Sequence, residues 1–313
     1  MPQKVIIITD PGQDQAVAIL MALAAPEAFD ILGIVTSAGN IGLDHTQRNA
    51  RALIELADRR DVPVFAGCPR PIRGALVTAE HVHGPTGLDG ADLPEPTVPL
   101  QTQHGVDFIV ETLRAHAPGE VAIFSESPLT NLAMAIVKAP DIAPRIARIV
   151  MMAGAYFEVG NITPSAEFNI YVDPQAADVV LRAGIPTVML PLDITHKLLV
   201  TPERLARFDA LGNRSGRVVA GMLGFSQDFD LEKYGWDGAP LHGPTVPAYF
   251  LEPGIFQGRE ANVSVETRGD LTFGMTVVDY WNITDRPKNA LYVTNGDADA
   301  YFGLIDRLIA RLP

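Results

Sequence analysis

A small set of side chains in this 313-residue chain could do chemistry together. Asp10 and Asp14 flank a Pro-Gly turn. Asn40, Glu126 and the polar loop bearing Asn161, Glu167 and Asn169 follow short apolar runs, and His83 and His242 sit in Gly/Pro-rich stretches. Carboxylates and amides grip vicinal hydroxyl groups, and an imidazole passes a proton near neutral pH. Clustered carboxylate oxygens also suit a hard cation. Taken singly, each residue has a plainer role. Asp-Pro-Gly is a common turn former, Asp10 or Asp14 could simply cap a helix, and isolated polar residues mostly solvate a surface. Their recurrence after one apolar segment after another favours a shared site for a neutral, polyhydroxylated ligand.

The apolar segments are what must position them. Lys4–Thr9 reads as a strand, followed at once by a helix beginning near Ala16. The strand is apolar at consecutive positions, so both of its faces should be covered, as in a parallel sheet. Further strands are expected at 31–37, 63–67, 120–125, 147–152 and 186–192. Helices are expected at 44–59, 106–115, 129–137 and 174–183, with mainly helical character over 201–229 and 244–251 and a closing helix at 298–312. Residues 263–267 and 272–280 alternate about Arg268-Gly-Asp270 and read as an antiparallel hairpin. Residues 69–100 read as a long loop, of a length that is usually functional or disordered. This β-α alternation predicts an α/β fold, a mostly parallel open sheet flanked by helices, in a single domain over 1–313. In such sheets, ligands bind beyond the carboxyl ends of the strands.

Composition narrows the function. A formal charge of −13 and a pI near 4.9 argue against nucleic acid or an anionic membrane as partner. No apolar run reaches the roughly 18 residues of a membrane span. The one cysteine, Cys68, allows no internal disulfide, and the N-terminus enters a strand without a signal peptide, so a cytoplasmic protein is expected. His81 and His83 form a His-x-His pair, but without a third ligand at suitable spacing they read as loop residues rather than a zinc site. Tyr234 and Trp236 suit either an aromatic lid or a packed loop.

Seven motifs then carry a resemblance. They are Asp10-Pro-Gly-x-Asp14, Gly39-Asn40, His83-Gly84-x-x-Gly87-Leu88, Pro128-Leu-Thr-Asn131, Gly160-Asn161-x-Thr-Pro-x-Ala-Glu167-Phe-Asn169, Leu192-Asp-x-Thr-His196 and Gly274-Met-Thr-Val-Val-Asp279. In this order, across essentially the whole chain, they resemble the nucleoside hydrolases of the inosine–uridine preferring group. The resemblance implies hydrolysis of the N-glycosidic bond of a ribonucleoside, in purine or pyrimidine salvage, with Ca2+ at the base of the pocket and a homodimeric or homotetrameric assembly. Carried over residue by residue, it makes Asp10 a metal ligand that also takes the proton of the attacking water. Asp14 would bind the ribose 2′-hydroxyl, and Asn40, Asn161, Glu167 and Asn169 the rest of the sugar. His83 would stand at the pocket mouth and His242 would face the leaving base.

The chain departs from the family pattern where the metal would sit. The family turn reads Asp-x-Asp-Pro-Gly-x-Asp-Asp; here Ile8 and Gln15 stand at the first and last acidic places. Gly243 stands where the family has an acidic ligand after the late His, and Glu126 where it has a Thr that offers its backbone carbonyl. The expected metal set is therefore Asp10, Gln15 and Glu126. Gln15 supplies one neutral oxygen and Gly243 none, whereas calcium affinity tracks ligand charge. Three readings stay open: a hydrolase with an altered metal site that uses Glu126, a metal-free glycosidase in which the Asp10–Glu126 pair replaces the ion, and an impaired or inactive nucleoside- or ribose-binding protein on the same fold.

Overall fold

The computed structural model describes residues 1–313. In chain order the first half comprises β1 (Gln3–Thr9), α1 (Gln13–Leu23), β2 (Phe29–Thr36), α2 (Leu43–Leu56), β3 (Val64–Ala66), α3 (Glu80–His83), α4 (Gly105–Ala115), β4 (Val121–Glu126), α5 (Thr130–Lys138) and β5 (Ile146–Met151). The second half comprises α6 (Phe168–Val172), α7 (Pro174–Leu181), β6 (Thr187–Met189), α8 (Leu192–Thr195), β7 (Leu199–Val200), α9 (Pro202–Ala210), α10 (Arg214–Tyr234), β8 (Ala239–Pro240), α11 (Thr245–Leu251), β9 (Phe256–Val265), β10 (Thr276–Asp279), β11 (Ala290–Gly296) and α12 (Ala298–Ile309).

Nine strands form one sheet in the order β10-β9-β11-β6-β5-β4-β1-β2-β3. Every pairing from β11 to β3 is parallel; β9 and β10 run antiparallel on the far edge. The mostly parallel sheet with flanking helices is thus as the sequence implies. Strand β1 shows why its residues are uniformly apolar. Val5 and Ile7 pack into a core with α1, α2, α10 and α12, while Ile6 and Ile8 pack into the opposite core with α4, α5 and α7. Alternate side chains of a strand point to opposite faces, and here both faces are dry.

Chain order reverses at β1. From there β2 and β3 extend to one side, whereas β4, β5, β6 and β11 extend to the other. The crevice between the carboxyl ends of β1 and β4 is therefore the switch point of the sheet. Asp10 follows β1, and Glu126 ends β4 in register with Thr9.

The expected hairpin is present as β9–β10, pairing Val265 with Thr276 through Asn262 with Asp279, and it extends the main sheet. Elsewhere local reading fell short. The segment at 186–192 is a three-residue strand that turns directly into α8. The helical stretch from 201 divides into α9 and α10, and α10 continues to Tyr234. The long loop contains the short α3. A parallel strand, β11, occupies 290–296, where no strand is expected from the pattern. No helix is long and apolar enough to cross a membrane.

Buried Asp193 at the start of α8 fastens the loop after β5 to the sheet. Its carboxylate accepts the N–H of Tyr156 (3.1 Å) and of Phe157 (2.7 Å) and the hydroxyl of Tyr292 (2.9 Å). Asp193→Ala strands the buried Tyr292 hydroxyl, at about 1–3 kcal/mol before relaxation, and two part-buried backbone donors at less. Differential scanning calorimetry is expected to show Tm lowered by about 5 °C or more; an unchanged Tm would mean this anchor contributes nothing.

Candidate functional site

A single cleft at the carboxyl edge of the sheet gathers most of the expected residues. Asp14, Gln15, Asn40, His83, Asn161, Glu167, Asn169 and His242 all line it. Asp10 and Glu126 do not. Both are fully buried one layer beneath, and they form the underside of the floor.

The floor is built from strand ends. Asp10 Oδ2 accepts the backbone N–H of Asn40 at 2.8 Å, while Oδ1 has no partner in the protein. Gly39 makes that approach feasible: a Cβ there would lie 2.0 Å from Asp10 Oδ2. The Asn40 amide donates to the Asp10 carbonyl (3.2 Å) and to Gln15 Oε1 (3.0 Å), leaving Asn40 Oδ1 facing the cleft. Glu126 Oε2 has no partner either. Asp14, in the first turn of α1, accepts the N–H of Gly243 on Oδ2 at 3.0 Å.

The opposite wall comes from the loop after β5. Glu167 caps α6, taking the N–H of Asn169 on Oε1 (2.9 Å) and those of Gly154 (2.9 Å) and Ile170 (3.2 Å) on Oε2. Asn169 donates to the Met152 carbonyl (3.0 Å), and Asn161 Oδ1 accepts from Phe168 N–H (2.9 Å). The free Oδ1 of Asn169 and the Asn161 amide are left for a ligand. Lys233 of α10 donates to the Asn161 carbonyl at 2.7 Å, so the end of that helix is tied across the mouth.

Four carboxyl groups in one dry volume cannot all ionise freely. Burial is the main cause in each case. It pushes Asp14 up to about 6 and Glu167 up to about 7 against the pull of backbone N–H groups. It holds Asp10 well above the usual carboxylate range, with Asp14 adding repulsion, and Glu126 likewise, with Asp14 and Asp10 adding theirs. The histidines respond oppositely. Burial drives His83 down to about 4 and His242 down to about 3, so both are neutral at physiological pH.

One tautomer follows from geometry. The Gln13 amide donates from Nε2 to the His83 carbonyl (2.9 Å) and the Asp89 carbonyl (3.3 Å), so its oxygen is the atom 2.6 Å from His83 Nδ1. An amide oxygen only accepts. His83 therefore carries its proton on Nδ1 and presents Nε2 as an acceptor. His242 Nδ1 meets the Thr195 hydroxyl at 2.7 Å.

Sequence reasoning missed several lining residues: Gln13, Met152, and Phe229, Asp230 and Lys233 on α10. Gln13 lay in plain view as the variable place of the Asp-Pro-Gly-x-Asp turn. The α10 residues gave no local signal, because a polar helix face looks the same over a cleft as over solvent. Tyr234 lines the cleft and stacks on Trp236, with centroids 4.3 Å apart. His196 lies behind, with Nδ1 3.3 Å from Glu158 and its ring 5.9 Å from that of His242.

A sequence model described as inosine-uridine preferring nucleoside hydrolase matches residues 5–303. The chain belongs to that family. It is a hydrolase with the N-ribosyl glycosidases of that group. It is 49% identical over 310 residues to an uncharacterized protein of Schizosaccharomyces pombe, covering 99% of this chain and 100% of that one. It is 44% identical over 313 residues to the pyrimidine-specific ribonucleoside hydrolase RihA of Escherichia coli, covering 100% and 99%. Among solved structures, a purine-preferring ribonucleoside hydrolase from Gardnerella vaginalis superposes with a TM-score of 0.92 at 28% identity, over 98% of each chain. A plant nucleoside hydrolase gives 0.92 at 29% over 99% of each.

Family membership implies a calcium ion, and the donors present do not suit one. The single carbonyl oxygen of Gln15 already accepts two N–H groups, from Gly12 (3.2 Å) and Asn40 (3.0 Å). Gly243 has no side chain, and no three His, Cys, Asp or Glu side chains converge as a metal site. Of the expected metal set, Asp10 keeps one unengaged oxygen, Glu126 is without a hydrogen-bond partner, and Gln15 keeps none.

The raised carboxyls make a stability prediction. The native state holds their protons more tightly than the unfolded chain, so this stabilisation is fully present below the unfolded carboxyl values and is lost as pH rises from those to the native ones. Buried neutral His83 and His242 act in the other sense, but only below about 6.5. From pH 6.5 to 8, Tm is therefore expected to fall as Glu167 and the Asp10–Glu126 pair ionise. Glu126→Gln should flatten that fall and be more stable than the parent at pH 8. A melt series showing parallel curves for the two proteins would remove the cluster as the cause.

Proposed function

We propose that this protein hydrolyses the N-glycosidic bond of a pyrimidine ribonucleoside, releasing ribose and the free base. The observation that carries the reading is the convergence of Asp14, Asn40, Asn161, Glu167 and Asn169 on one cleft, with Asp10 directly beneath. The pyrimidine preference is supported by the full-length likeness to RihA. In this reading the ribose hydroxyls bind Asp14, Asn40 Oδ1, Asn169 Oδ1 and the Asn161 amide. The base lies toward His83, His242, Phe229 and Tyr234.

A water oxygen bonds C1′ as the C1′–N bond breaks. Asp10 is fixed through Oδ2 to the Asn40 N–H, so its unpartnered Oδ1 takes the water proton. The burial that raises its pKa makes it a stronger base once it is ionised. The sugar carries positive charge in the transition state, and the acidic floor stabilises that charge without reorganising. His242, neutral and paired with Thr195 through Nδ1, donates a hydrogen bond from Nε2 to a carbonyl oxygen of the base, which departs as the anion and takes its proton from solvent. No step is routed through a metal.

A second reading is a nucleoside-binding protein without turnover, favoured by Asp10 lying out of reach of bulk water. Product ribose assays on uridine, cytidine and inosine separate the two. Asp10→Asn is expected to lower kcat by about 100-fold or more, with the uridine Kd changed less than about threefold. kcat of the parent should rise with pH as Asp10 loses its proton. Uridine binding with no ribose released at any pH would establish the second reading.

Gln13→Leu frees His83 from its fixed tautomer. KM for uridine is expected to rise about tenfold, while Tm moves less than for loss of the Asp193 anchor, since the three hydrogen bonds lost join α1 only to the loop bearing His83 and Asp89. An unchanged KM would place His83 outside recognition.

We propose further that the protein is cytoplasmic, consistent with its single cysteine, and a homodimer or homotetramer. Support for association comes from the exposed aromatic group of Phe157, Tyr280 and Trp281, with Arg259 over the latter two rings.

A further inference from the structure

We infer that hydrogen bonds hold the floor of this cleft together where family membership implies a divalent cation, so that ligand binding here needs no metal. The inference takes its ligand from the nucleoside reading above; its calorimetric arm stands without that reading.

The argument rests on where each oxygen is engaged. The positions at which the family resemblance places metal ligands are Asp10 after β1, Gln15 in the first turn of α1, Glu126 at the end of β4 and Gly243 before α11. Hydrogen bonds already tie all of these but Glu126 to a neighbouring element. Asn40 N–H joins the β2 turn to Asp10 (2.8 Å), and the Asn40 amide joins it to Gln15 on α1 (3.0 Å). Gln15 Oε1 also takes the Gly12 N–H, which has no partner within the helix (3.2 Å). Gly243 N–H joins the late loop to Asp14 Oδ2 (3.0 Å).

The loop can approach that closely because residue 243 has no side chain. A Cβ there would lie 3.1 Å from the Asp14 carbonyl oxygen and 3.2 Å from Gln15 Cα. Gln15 and Gly243 are thus a matched pair: one supplies an acceptor for two donors, the other lets a backbone donor reach α1. Among the carboxylates beneath the cleft, the buried oxygens without partners are Asp10 Oδ1 and Glu126 Oε2; the others nearby belong to neutral hydroxyls, Thr9, Ser37 and Ser125. Calcium takes about six to eight oxygens and its affinity follows ligand charge, which the neutral Gln15 and Gly243 do not supply.

The test uses the full-length protein. Titration calorimetry with CaCl2 to about 10 mM is expected to show dilution heat only, with the same Tm in EDTA and in Ca2+. The uridine Kd by equilibrium dialysis should agree within about twofold between those conditions. A saturable calcium isotherm, or uridine affinity that rises about tenfold with Ca2+, would overturn the inference. Gln15→Leu removes the double acceptor and should weaken uridine about tenfold in EDTA with no rescue by Ca2+; rescue by Ca2+ would count against it. Should uridine fail to bind in every condition, the nucleoside reading falls, and the calcium isotherm alone still decides the floor.

Discussion

The hydrogen bond from Asn40 N–H to Asp10 Oδ2, 2.8 Å long, fixes a carboxyl group that has no contact with bulk water. It closes because Gly39 has no Cβ, which would sit 2.0 Å from that oxygen. Two adjacent residues of one turn thereby set the position of the group at the centre of the site. Everything above it depends on this placement, because Asn40 also carries the amide that reaches Gln15. A parallel sheet is what makes the arrangement feasible. Its strand ends all deliver their turns to the same edge, and at the β1–β4 switch point two turns diverge and leave room between them. Backbone N–H groups at that edge are unsatisfied by the sheet and are free to hold carboxylates.

Burying four carboxyl groups together is costly, and the chain offsets the cost unevenly. Glu167 receives three backbone N–H groups and Asp14 at least one, and their pKa values rise only to about 7 and about 6. Asp10 has one strong backbone donor and Glu126 no partner for Oε2. The groups with fewest donors are those pushed furthest toward the neutral form. The floor therefore grades from more readily ionised carboxyls at the cleft surface to ones held further toward the neutral form beneath. A positively charged sugar at the surface meets the more acidic layer first.

The sequence made the sheet and the polar clusters readable for different reasons. Consecutive apolar residues such as Val5–Ile8 need two dry faces, so the parallel interior could be read directly. The convergence of Asp10, Asn40 and Glu126 followed from each lying at or just after a strand end, a position that topology turns into proximity. Strand β11 escaped because its apolar run, Ala290–Val293, is short and gives way to polar Thr-Asn-Gly; its neighbours β6 and β9 make it a strand. The contribution of α10 escaped because its lining residues come from a helix more than 70 residues distant from the loop it touches, through Lys233 and the Asn161 carbonyl. That Asp10 lies beneath the floor rather than on it was likewise beyond local reading. Strand ends specify which turns meet, but depth is decided by what packs above, here Asp14, Gln15 and Asn40.

The two histidines show how burial constrains leaving-group chemistry. Both are neutral, with native pKa values of about 4 and about 3, so neither holds a spare proton at neutral pH. Gln13 forces His83 to present an acceptor, which suits an N–H or O–H of the ligand and excludes proton donation from that nitrogen. Donation to the base is left to His242, whose partner Thr195 can both donate and accept and so permits either tautomer. A neutral imidazole donating a hydrogen bond stabilises a departing anion less than an imidazolium would, but it costs no buried charge beside the aromatic wall of Phe229 and Tyr234. The burden of stabilisation then shifts to the sugar side, where the carboxylates are. A cleft that offers negative charge to the sugar and only neutral dipoles to the base favours a transition state in which the C1′–N bond is largely broken before the water bond forms.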